Sequence, residues 1–117
     1  VVNSHVGVLN AGEIHHVKSI AVNVGRLHEK GEQEVAVAIN HLLEAVAATD
    51  ILSVEDKSDT LEQLEELSKQ AVLQPNERRT AIIKALLAGL GATLGAAGSL
   101  ADIWSTWGPA IQSFFNL

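Results

Sequence analysis

The stretch "ALLAGLGATLGAAGSLA", Ala85–Ala101, carries no charge and lies between Lys84 and Asp102. A helix that is apolar all round needs cover on every side, from lipid or from protein. At 100° per residue, Lys84, Ala88, Gly91, Gly95, Gly98 and Asp102 fall on one line of small residues closed by a charge at each end. Ile83, Leu87, Leu90, Leu94, Ala97 and Ala101 form a neighbouring apolar line. Gly89, Gly91, Gly95 and Gly98 each weaken a helix interior by about 0.8–1.0 kcal/mol relative to alanine. Close approach of another backbone along the small seam is the expected compensation.

The pattern predicts a glycine-rich helix starting near Asn76 or Glu77 and running to Trp104. "WSTWGP", Trp104–Pro109, supplies a break, since Gly108 tolerates unusual backbone angles and Pro109 cannot continue the hydrogen-bond ladder. "AIQSFF" then forms a short C-terminal aromatic helical turn, with Ile111, Phe114 and Phe115 on one side.

Upstream, Val35, Ile39, Leu42, Leu43 and Val46 make one apolar stripe of an amphipathic helix. Ser53 is placed to cap a second helix, with Asp56 answering three residues on. That helix shows Val54, Leu61, Leu64, Leu67 and Ala71 on its apolar face and ends before Pro75. Nearer the N-terminus, Ile20, Val22 and Val24 alternate with Ala21, Asn23 and Gly25, the period of a half-buried strand. Val6 and Val8 alternate across Gly7 before the turn-forming Asn10-Ala11-Gly12, and Val2, Val8, Ile14 and Ile20 recur every six residues as in a β-helix rung. The fold expected is mainly α with a short N-terminal β segment (α+β) and about three main helices. Residues 1–25 form a β-rich arm that pairs between subunits, and residues 26–117 a helical domain.

Composition narrows the function. A net charge of −6 argues against binding a nucleic-acid backbone. The lack of cysteine excludes disulfides, thiolate metal sites and a cysteine nucleophile, and points to a reducing, cytoplasmic setting. No basic stretch precedes an apolar segment at the start of the sequence, so no secretory signal is expected. His5, His15, His16, His28 and His41 lack metal-ligand spacing, with His15 and His16 on opposite faces of a strand, and His41 is within reach of Glu44 on a helix. None of the serines sits in a Gly-x-Ser-x-Gly elbow, and "GLGATLG", Gly89–Gly95, does not follow a strand as a dinucleotide loop does. No catalytic residue, cofactor site or metal site is expected.

Val22-Asn23-Val24-Gly25 resembles, over four residues, the short core of the amyloid signalling motifs of immune adaptors, with Asn23 in place of glutamine. The resemblance implies stacking through asparagine ladders. A half-buried strand accounts for the same residues, and no family membership follows.

Two amphipathic helices with one stripe each do not cover a third on every side, and a short strand pair is marginal alone. The expected function is therefore a non-enzymatic, self-assembling module, a homo-oligomer whose contacts concentrate at Val22, Val24, Gly91, Gly95, Gly98, Trp104, Trp107 and Phe114. The alternative is a membrane-inserting or pore-forming effector using helix 80–104, with Arg78, Arg79 and Lys84 at the headgroups and Trp104 and Trp107 at the opposite interface. Its uncharged run is at the short end of the roughly 17–25 residues that cross a bilayer. A minor third expectation is a small-molecule carrier with a pocket beneath the aromatic turn.

Overall fold

Residues 20–25 are helical, not extended. In a computed structural model that describes residues 11–117, they lie within α1, Ala11–Glu29. The described residues form five helices and no strand: α1, α2 (Gln33–Ala48), α3 (Val54–Val72), α4 (Thr80–Gly95) and α5 (Ser99–Phe114), with a single 3-10 turn at Pro75–Glu77. The expected N-terminal β segment is thus corrected. The strand expected at Val6–Val8 lies outside the described residues, as do Val2 and Val8 of the six-residue repeat.

The misreading has a physical origin. Ile20 and Val24 fit a period of two and a period of 3.6 equally well, so the neighbours decide. Leu27 is buried with them, Val22 faces out at 56% exposure, and Asn23 faces in at 6%. The buried side of α1 therefore follows helical spacing, but polar residues occupy half of it, which hid the stripe. Glu13 in the first turn and Arg26 and His28 in the last complement the helix dipole. The helix runs on through residues 25 and 26 to Glu29, and the chain turns at Gly31. The Glu32 amide donates to the Leu27 carbonyl at 2.9 Å, the Gly31 amide donates to that of His28 at 3.1 Å, and Gly31 has φ +82°. This is the Schellman turn, whose left-handed residue favours glycine. The four residues Val22–Gly25 that resemble an amyloid core are thus part of a helix.

The two middle helices follow the sequence closely. α2 buries Val35, Ile39, Leu42, Leu43 and Val46. α3 starts at Ser53, whose Oγ accepts from the Asp56 amide at 3.0 Å, and buries Leu61, Leu64, Leu67 and Ala71. Val54, assigned to the same stripe, is instead 70% exposed.

The predicted third helix is two helices. The chain breaks at Ala96–Gly98, and Gly98 has φ +53° and ψ −121°, a conformation that β-carbon sterics disfavour. α5 then runs back along α4, with Trp104 level with Gly91 and Gln112 level with Lys84. The expected break at "WSTWGP" is absent: Pro109 sits inside α5, exposed, and the aromatic turn is the last part of the same helix. An interior proline costs a helix about 3 kcal/mol or more. Burial of Ile111 beyond it, with Phe114 and Phe115 packed against the core, offsets that cost.

The fold-back also resolves the problem of cover. Ile83, Leu87, Leu90 and Leu94 are buried, at about 1.5–3 kcal/mol per side chain, which exceeds the cost of the glycines. The outward residues of α4 are Thr80, Ala81, Lys84, Ala85, Ala88, Ala92 and Gly95, which present little apolar area. Among the described residues, no helix is long and apolar enough to cross a membrane. The continuous helix 80–104 on which the inserting reading depended does not exist. α1 packs on α2 and α3, α4 on α3 and α5, and α2 on α3 and α5, in a bundle of 46 × 27 × 21 Å.

Gly25 is exposed in the interior of α1 and an added β-carbon meets nothing within 4 Å. Gly25→Ala is expected to stabilise the protein by about 0.5–1 kcal/mol and Gly98→Ala to destabilise it by about 1–3 kcal/mol, both read from urea denaturation. A destabilised Gly25→Ala would contradict the helical assignment of this segment.

Candidate functional site

α1 lies on α3 through polar side chains. Asn23 Nδ2 donates to Ser68 Oγ at 2.9 Å, and Ser68 Oγ donates to the Glu65 carbonyl at 2.7 Å. One turn away, His16 Nδ1 is 2.6 Å from Glu65 Oε1. An ionised carboxylate only accepts, so Nδ1 carries the proton. Ser19 also donates to Glu65, and Lys69 Nζ lies 3.5 Å from its other oxygen. Beyond the end of α1, Lys30 Nζ reaches the Val72 carbonyl at 2.6 Å. Asn23, Ser68 and Glu65 are buried and need their partners, because a buried polar group without one costs about 1–3 kcal/mol.

Glu65 is buried, and burial pushes its carboxyl up. The hydrogen bonds from Ser19 and His16 and the charges of Lys69 and His16 together outweigh that push and hold it below its ordinary value. The pair opens on a cleft of about 500 Å³ that also receives His15, Glu62, Gln63, Glu66 and Leu86. His15 and His16 therefore border one cleft, 100° apart on a helix, and do not point to opposite faces of a strand; their rings are 6.0 Å apart. Such an imidazole, oriented by a carboxylate, is half of a general-base arrangement. No hydroxyl or thiol among the described residues lines the cleft, and Ser19 is engaged with Glu65. Among the described residues, no three His, Asp or Glu are placed to hold a metal ion.

The residues singled out from the sequence are dispersed. Val22 faces out from α1, and Val24 is buried in the core. Gly91 and Gly108 make room for the Trp104 indole, which an added β-carbon would approach to 3.3 and 3.0 Å. The close approach expected between chains is, at Gly91, a contact within the chain. Gly95 is exposed with nothing within 4 Å, and Gly98 serves the chain reversal. Trp107 stacks on His41, centroids 4.3 Å apart and planes 6° from parallel, so His41 is matched to a ring of α5. Phe114 lies edge-on to Phe115 beneath the Arg78 guanidinium, which is 4.7 Å and 5.4 Å from the two ring centres.

The inserting alternative puts Arg78 at the headgroups, and the structure gives it a different place. It donates to the carbonyls of Gln70 and Ala71 at 3.1 and 3.0 Å, closing the end of α3 while holding the aromatic end of α5. Burial lowers its pKa and the charge of Glu32 opposes that; an arginine stays protonated in either case. A cleft of about 380 Å³ beside Phe114 is bordered by Lys30, Pro75 and Arg78.

No family model, curated protein or solved structure matches the chain. The functional reading therefore rests on its own geometry.

Because the native carboxyl of Glu65 is depressed, the unfolded chain takes up the proton first as the pH falls. The stability it contributes is complete above the ordinary glutamate value and is lost as the pH drops through the native one. Glu65→Gln is expected to flatten that acid part of the stability–pH curve, measured by chemical denaturation. An unchanged slope would contradict the assignment.

Proposed function

We propose that the chain is a non-catalytic module that acts by associating with copies of itself. The observation that carries the reading is the placement of large apolar side chains on the outside: Val22 at 56%, Ile51 at 50% and Val54 at 70% exposure. On α1 the inversion is local, with valine outside and the adjacent asparagine inside. Asn23 is satisfied inside by Ser68, whereas Val22 leaves apolar surface in water. A second surface that takes up the valine removes that exposure.

The apolar run itself asks for no second chain. α5 covers it from within the chain, so α4 no longer demands a neighbour. The cysteine-free sequence fits a cytoplasmic setting, which belongs to the proposal.

Light scattering in plain buffer, from micromolar to millimolar protein, is expected to give a mass that rises with concentration above the 12.4 kDa of one chain, without detergent. A constant 12.4 kDa over that range would overturn the reading.

A further inference from the structure

We infer that the copies meet head to tail, the apolar tip at the start of α3 in one chain seating in the groove between α1 and the end of α3 in the next. The inference rests on the self-association reading and gives it a geometry.

The tip is Ile51 and Val54, on the loop before α3 and at its first residue. Around them Asp50, Glu55, Asp56 and Asp59 are all exposed. The only cation of this stretch, Lys57, is turned inward, its Nζ 3.4 Å from the Ala47 carbonyl. The tip is thus apolar at its centre and acidic around it.

The groove has the complementary design. It encloses about 510 Å³ between α1 and α3, with Val22, Val72 and Leu73 as its apolar walls and Arg26 and Lys69 beside them. Lys18, Val22 and Arg26 follow one another at four-residue spacing, so two cations flank the exposed valine on one ridge of α1. Lys69 is held by Glu65, so the positive charge that the groove offers is that of Lys18 and Arg26. The valines and the isoleucine supply the apolar area, and the charges orient the encounter.

Position fixes the symmetry. Tip and groove lie at opposite ends of α3, roughly 28 Å apart along a helix of this length, so a chain cannot fill its own groove. Docking one tip leaves a free tip and a free groove, which extends the assembly. An antiparallel pair with α3 lying along α3 also brings tips to grooves, but it sets Glu62 and Glu66 of the two copies around the axis, where like charges repel. Both patches are small, which places the contact among weak associations.

Two substitutions at exposed positions test the inference, Val22→Asp in the groove and Val54→Asp at the tip, with Val22→Ser as a milder groove variant and circular dichroism confirming that each remains helical. The wild-type mass should pass that of a dimer as concentration rises. Each aspartate variant alone should be monomeric, and an equimolar mixture of the two should form one-to-one pairs, since one keeps its tip and the other its groove. Variants that assemble like the wild type, a mixture that stays monomeric, or a wild-type plateau at the dimer would overturn the head-to-tail contact alone. A wild type that is monomeric at every concentration would overturn the self-association reading and this inference together.

Discussion

The fold depends on the contact between Trp104 and the hollow left by Gly91 and Gly108. α4 carries leucines on one side, isoleucine and leucine beside them and small residues on the rest, and in water it must be covered. The indole of Trp104 fills the hollow at a distance that a β-carbon at either glycine would close to about van der Waals limits or less. That contact holds α5 against α4, and the reversal at Gly98 allows it. With α5 in place, Trp107 meets His41 on α2, and Phe114 and Phe115 come under Arg78, which in turn closes α3. The aromatic helix is thereby packed on α4 and α2 and linked to α3 through Arg78.

α1 is held in a different manner. Ile20, Val24 and Leu27 enter the core, but its fixed register on α3 comes from directed polar pairs, His16 to Glu65 and Asn23 to Ser68. A misregistered polar group inside the bundle loses its hydrogen bonds outright, whereas misregistered leucines lose only some packing. The polar seam therefore specifies which face of α1 is inside. That choice leaves Lys18, Val22 and Arg26 outside, where the proposed contact between copies is made. The link between fold and function in this account is that single rotation of α1.

Sequence patterning reads α2 and α3 well because their buried faces are leucine, isoleucine, valine and alanine at helical spacing, with a serine cap to mark a boundary. It misreads α1 because the buried stripe is half polar: Glu13, His16 and Asn23 sit where apolar residues are sought, and Ile20, Val22 and Val24 mimic alternation. Reading His16, Ser19 and Asn23 as a polar stripe at spacings of three and four would have recovered the helix. In the C-terminal region the composition is read correctly and the break is misplaced. Gly108-Pro109 is the stronger turn signal in isolation, but Gly108 is taken by Trp104, and the turn goes to Gly98, four residues after the last buried leucine of α4. Glu65 and Arg78 were illegible as site residues, since their roles depend on partners 49 and 7–8 residues away.

The hairpin of α4 and α5 fixes the separation of positions 84 and 112, so that distance reports on the fold. The chain has no cysteine, so Lys84→Cys and Gln112→Cys can be spin-labelled together and measured by double electron–electron resonance. Both positions are exposed and border the same cleft, of about 320 Å³. The account predicts a narrow distribution at the separation of adjacent helix axes, about 10 Å, extended by the label arms. A continuous helix through this region would place the two backbone positions about 42 Å apart, and a distribution centred there would contradict the fold and the functional reading built on it.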